Sequence, residues 1–261
     1  MARWAALIEK RRTRHPAVIV DAGSFCNPKQ GRSVEFDLDY FFEGMKLMDY
    51  DAVGVGPHDI RFGRKRLLER VDEAGFELLS TNLIDKRGDG TLGGKYEVVK
   101  AGGVRIGFFS VILPLLVHEI DPEIPKFYEV VDPRMAALEA VSVLREKGCD
   151  LVVALGYLGW KGSKELAESV DGIDVVINGK REHNRPTGEM VGGTMVVDTG
   201  MRSITFTEVL AEWTGGVPRL RVKEAGGEAK RLDGREDLLE LERRYTEELR
   251  ARGIKDAREG S

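Results

Sequence analysis

Ala17-Val18-Ile19-Val20-Asp21-Ala22-Gly23 is the stretch on which the fold turns. Its β-branched run shows no polar alternation, it ends in an acid, and a small-residue turn follows. A short buried strand followed by a turn reads this way. His15-Pro16 breaks the chain just before it. The charged segment 1–14, with Ala5, Leu7 and Ile8 as apolar positions, is the preceding helix.

The same cycle repeats downstream. Phe41, Phe42, Met45, Leu47 and Met48 recur at helical spacing, as a core-packing stripe, and lead into a buried strand over 50–56. A loop at 57–63 and a helix through Leu67, Leu68 and Val71 follow. Strands are expected at 77–79, 96–100 and 104–111, the last two joined by the hairpin signal Ala101-Gly102-Gly103. Asp132-Pro133 is an N-cap followed by proline at the first helical position, and it opens a helix to 147. Strand 150–155, loop 156–162, a helix to 170 and strand 174–178 make the next unit. Strands 194–198, 203–210 and 218–223 close the series. The class is therefore α/β, a mixed sheet flanked by helices with hairpins in the middle and at the end. Leu238, Leu239, Leu241, Tyr245 and Leu249 make 235–252 an amphipathic helix. We divide the chain into a main domain, 1–225, and a C-terminal helix and tail, 226–261, with helix 235–252 as a possible docking element for a protein partner.

Bulk properties narrow the function classes. A chain of 261 residues buries one large α/β core. The net charge of -4 provides no general attraction to nucleic acid or anionic membrane. No apolar run is long enough to span a bilayer, and 1–14 lacks the apolar core and cleavage site of a signal peptide. Cys26 and Cys149 form no CxxC or zinc pattern and read as buried thiols. GxGxxG after the first strand, GxxxxGK[ST], GxSxG and HExxH are all absent.

Reactive groups in α/β folds gather beyond the carboxyl ends of strands, here at 21–32, 56–63, 156–162 and 178–186. These segments carry a resemblance. Val20-Asp21-Ala22-Gly23-Ser24-Phe25, Gly56-Pro57-His58-Asp59-Ile60-Arg61-Phe62-Gly63, Leu155-Gly156-Tyr157-Leu158-Gly159 and Asn178-Gly179-Lys180-Arg181-Glu182 are similar to four motifs of the bacterial 5′-nucleotidase branch of calcineurin-like metallophosphoesterases. In that family they read approximately DAGDxxxG, GNHExDxG, SHLG and GGHxH or GGHxQ. The helix-to-strand junction 43–52 and the hairpin 103–108 also resemble the family's connectors, so the resemblance covers about 2–210. It implies a four-layer α/β/β/α architecture of mixed sheets between helices. It also implies an opening strand with an Asp-x-His motif, which would precede Met1.

The family's chemistry uses two divalent cations held by Asp, Asn and His. By the resemblance, its ligand positions are occupied here by Ser24, Pro57, Tyr157 and Lys180. Proline offers no donor, serine and tyrosine are poor ones at neutral pH, and an ammonium repels a metal. We therefore expect no resident cofactor and a domain that is not a competent two-metal phosphatase. His58 matches the family's non-ligand histidine at the leaving group. Glu182 and His183 are a weak two-residue cluster for recruiting a metal. Arg61, Lys180 and Arg181, with His58, are expected to converge where the metals' charge would lie, so that a phosphate or other anion binds there. The alternative is a residual hydrolase of nucleotides or other phosphate esters that uses manganese, zinc or iron. The family is mostly periplasmic or cell-surface, and the compartment of this chain is left open.

Overall fold

The computed structural model describes residues 1–25, 34–88, 90–120, 123–180, 182–200, 206–214 and 217–254, without the side chains of 34–36, 118–120, 214, 217 and 226. The chain runs α1 (Ala2–Arg12), β1 (Val20–Asp21), α2 (Val34–Met48), β2 (Ala52–Gly54), the single turn α3 (Pro57–Ile60), α4 (Arg64–Ala74), β3 (Glu77–Leu79) and β4 (Leu83–Asp85). It continues through β5 (Tyr96–Ala101), β6 (Val104–Ile112), α5 (Pro114–Ile120), α6 (Ile124–Phe127), β7 (Tyr128–Val130), α7 (Pro133–Glu146), β8 (Leu151–Tyr157), α8 (Gly159–Ser169) and β9 (Val175–Asn178). It closes with β10 (Thr187–Val191), β11 (Thr194–Asp198), β12 (Thr207–Thr214), β13 (Val217–Glu224), α9 (Gly226–Ala229) and α10 (Glu236–Ala251).

A parallel sheet, β1-β2-β3, lies against the mixed sheet β10-β11-β9-β8-β6-β5. Strand β8 shows why such runs carry no alternation in sequence: all its residues are buried, with Val153 and Leu155 between the sheets and Val152 and Ala154 under α7 and α8. Ala22, Ala52, Leu79 and Phe108 complete the inter-sheet layer. Leu38, Phe42, Met45, Leu67 and Val71 pack α2 and α4 on the outer face of the small sheet. The layers are α/β/β/α. Register is fixed by parallel pairing, Ile106 with Leu151 through Ile112 with Tyr157 on one side of β8. The N-cap of α7 is as expected, with Asp132 accepting from the N–H groups of Arg134 and Met135 at 2.8 and 3.1 Å.

The structure differs from the sequence reading in several places. Strand 50–56 shortens to β2 because α3 begins at Pro57, inside the expected loop 57–63. The loop expected at 156–162 reduces to Leu158: β8 runs on to Tyr157, and Gly159, at φ +76°, turns the chain directly into α8. Of the expected strand 203–210, residues 203–205 lie outside the described residues, and β12 runs from Thr207 against β13. The short pair β4–β7 and the largely exposed edge strand β10 were not anticipated. Cys149 is a buried thiol, and Cys26 lies outside the described residues.

The amphipathic helix α10 folds back onto its own chain. Leu238, Leu241 and Leu249 are buried, and Leu238 and Leu241 pack with Ala2, Trp4, Leu7 and Met48. Polar contacts reinforce this docking: Tyr245 Oη donates to Asp37 at 2.7 Å, and the Met1 ammonium meets Glu242 at 2.9 Å. A partner at 235–252 would therefore meet the charged outer face of the helix. No helix among the described residues is long and apolar enough to cross a membrane.

Candidate functional site

Strands β1, β2, β8 and β9 present their carboxyl ends together, and the loops there touch backbone to backbone. A Cβ on Gly56 would stand 2.2 Å from the Ser24 nitrogen, and one on Gly179 would stand 2.6 Å from the Ala22 carbonyl oxygen. Only glycine permits such approaches. Ser24 itself sits at φ +56°, a conformation rare outside glycine, so the turn after β1 is held in place by its surroundings.

Asp59 does much of that holding. Fully buried, its Oδ2 accepts from the Gly56 N–H at 2.8 Å, capping α3, and from the Ser24 N–H at 2.7 Å. The hydroxyl of Ser24 accepts the His58 backbone N–H at 3.4 Å and lies 3.2 Å from His58 Nδ1. Burial, and then the nearby Arg61 charge, hold the His58 imidazole below its ordinary pKa. The ring is therefore neutral at neutral pH, and is both a donor and an acceptor.

Of the positions where the resemblance puts metal ligands, Ser24 is engaged with His58, and Pro57 is buried at the first position of α3. Tyr157 packs in the core cluster with Leu38, Phe42 and Ile112. Lys180 Nζ lies 3.7 Å from Glu182 Oε1. Arg181 lies outside the described residues. Among the described residues, no group of three or more His, Cys, Asp or Glu side chains is placed to hold a metal ion.

Asp198, at the end of β11, is a residue the sequence reading passed over. It is fully buried; Oδ1 accepts from Gly200 N at 2.8 Å, and Oδ2 accepts from Glu182 N at 3.0 Å and Asn178 Nδ2 at 3.3 Å. His183 Nδ1 lies 3.0 Å from the same Oδ2, and its ring meets Trp160 edge-on at 4.6 Å. The Glu182 carboxylate accepts the Trp160 N–H at the start of α8, where the helix dipole favours a negative charge. Asp198 thus ties Asn178, Glu182, His183 and Gly200 together. An acid ending an apolar strand, as Asp198 ends the buried β11, was the available signal. For Asp59 it was the spacing from Gly56 to the third helical position.

No family model matches the chain. It is 23% identical over 268 residues to the trifunctional nucleotide phosphoesterase protein YfkN of Bacillus subtilis, covering 90% of this chain and 18% of that protein. The 5′-nucleotidase of Vibrio cholerae is 26% identical over 201 residues, covering 74% of this chain and 35% of that protein. Among solved structures, the Thermus thermophilus sulfate thiohydrolase SoxB superposes with a TM-score of 0.82 at 22% identity, over 94% of this chain and 46% of that one. The chain thus spans less than half the length of each of these. It has the metallophosphoesterase fold, and its homologues and structural neighbours are 5′-nucleotidases and calcineurin-like phosphoesterases.

Proposed function

We propose that this metallophosphoesterase-fold domain binds a phosphate-type anion through its own side chains and is not a competent two-metal phosphatase. The observation that carries this reading is the chemistry at the ligand positions. A dinuclear centre needs several lone-pair donors converging on each ion. Here Pro57 has none, Tyr157 is committed to the core, Lys180 brings a positive charge, and Ser24 is bonded to His58. These side chains do not fit such a pair of ions. Arg61 and Lys180, with Arg181 from the same loop as Lys180, supply positive charge instead, and the neutral His58 adds a hydrogen-bond donor.

A second reading is supported by the relatives, which are nucleotide phosphoesterases and 5′-nucleotidases. In it, the domain hydrolyses nucleotides or other phosphate esters with a divalent metal such as manganese, zinc or iron. One set of samples separates the two readings: the purified chain, as isolated and after metal loading, analysed for metal content, phosphatase turnover and binding of inorganic phosphate in EDTA. Phosphate binding that persists in EDTA and weakens about tenfold in Lys180→Ala or Arg61→Ala is expected, the loss of one charge-assisted contact. Two metals per chain with turnover would overturn the proposal.

A further inference from the structure

A cleft of about 750 Å³ opens between the first turn of α4 and the turn after β4, lined by Phe62, Arg64, Lys65, Arg66, Glu69 and Arg87 among others. Neither proposed reading of the His58 region uses it. Among the described residues, its lining holds four cations and one carboxylate.

The cations are arranged on a rigid base. Asp85, with its side chain 3% exposed, takes Arg64 Nε at 2.8 Å on one oxygen and Arg87 Nε at 2.9 Å on the other. Two guanidinium groups therefore share one buried carboxylate. Arg87 is further fixed by the rings of Phe127 and Tyr128, at 5.0 and 4.8 Å. Arg64 and Arg87 remain 48% and 43% exposed at their side chains, and each guanidinium has more donors than Asp85 takes up.

Among the described residues, Glu69 pairs with Lys65 only at 3.8 Å on the surface.

The sequence of α4 makes the same point. Arg64-Lys65-Arg66 opens the helix, its first turn has no acid, and the N-cap Gly63 has no side chain to satisfy the free N–H groups. Three cations at the positive end of a helix dipole are an unfavourable arrangement, which a bound anion relieves.

We propose that this cleft is a second anion site, separate from the His58 region, for a multiply charged phosphoryl group of the diphosphate class. Cations converge on it from two chain segments, and the cleft is larger than a single phosphate needs.

The test is calorimetric titration of the full chain with inorganic pyrophosphate, in EDTA at constant ionic strength. Lys65 is 90% exposed at its side chain, so Lys65→Glu leaves the fold intact. It is expected to weaken pyrophosphate binding at least about tenfold, while Lys180→Ala changes it less than about twofold. Arg87→Ala is expected to weaken binding as well, with folding checked by circular dichroism. Competition by ADP for the Lys65-dependent site would identify a nucleotide's diphosphate as the source, and failure to compete would identify the inorganic anion. An unchanged affinity in Lys65→Glu, or no saturable binding at millimolar pyrophosphate, would overturn the proposal. So would loss of all binding in Lys180→Ala, which would assign the anion to the first site alone.

Discussion

The Asp59 carboxylate grips the backbone of Ser24, accepting its N–H at 2.7 Å across a separation of 35 residues. It also accepts the Gly56 N–H, so a single buried oxygen joins the turn after β1 to the start of α3 and sets the distance from Ser24 to His58. Replacing Asp59 by alanine strands two N–H groups and is expected to lower the unfolding free energy by about 2–4 kcal/mol in urea titrations. Asn retains an acceptor oxygen, and Asp59→Asn should lose about half as much. An alanine variant within about 0.5 kcal/mol of the parent would show that the carboxylate does not hold the turn.

His58 provides a pH-dependent signature. Its pKa is depressed by burial and then by Arg61, so between the folded pKa and about 6.5 the unfolded chain binds more protons than the folded one. Stability therefore rises with pH through that window. The contribution is complete above about 6.5 and is lost as pH falls toward the folded value. His58→Gln should flatten this part of the urea-midpoint profile. Arg61→Ala should move the imidazole titration, followed by NMR, back up toward its ordinary range. A midpoint that does not move would remove Arg61 from the surroundings of His58.

Asp198 should be harder to replace than Asp59. Oδ2 faces donors from Glu182 and Asn178 while Oδ1 takes Gly200, so both oxygens are needed as acceptors. Asp198→Asn puts an amide donor against an N–H and is expected to cost nearly as much as Asp198→Ala, about 2–5 kcal/mol. Release of loop 178–183 from Trp160 should also change the tryptophan fluorescence of the native state. A stable asparagine variant with unaltered emission would contradict this account.

Helix α10 packs against α1 and α2 of its own chain. Leu249 has no exposed surface, and Leu249→Ala is expected to destabilise the chain by about 2–4 kcal/mol without changing its mass in light scattering. A change of oligomeric state at unaltered stability would instead make the helix a docking element.

What the sequence by itself determined was the order and class of the elements. The run 150–155 has the continuous apolar character of the fully buried β8, whereas 17–21, expected as a buried strand, forms only the two half-buried residues of β1. Asp132-Pro133 and Ala101-Gly102-Gly103 carry their cap and turn chemistry within a few residues. The motifs at 20–25, 56–63, 155–159 and 178–182 pointed to the phosphoesterases and 5′-nucleotidases that the chain resembles, and to the loops that gather at one end of the strands.

The tertiary structure alone decided what the side chains there do. Tyr157 stands in a motif position but is packed into the core, because β8 runs on through it. Asp59 and Asp198 act on groups far along the chain, and the cleft at Arg64 and Arg87 exists only because α4 and the turn after β4 meet over Asp85. The apolar stripe of α10 looked the same in sequence whether its cover was a partner or α1 and α2. Local patterns record a residue's preference for burial or turn geometry, whereas hydrogen-bond partners and shared charges depend on which distant segments the packed sheets bring together.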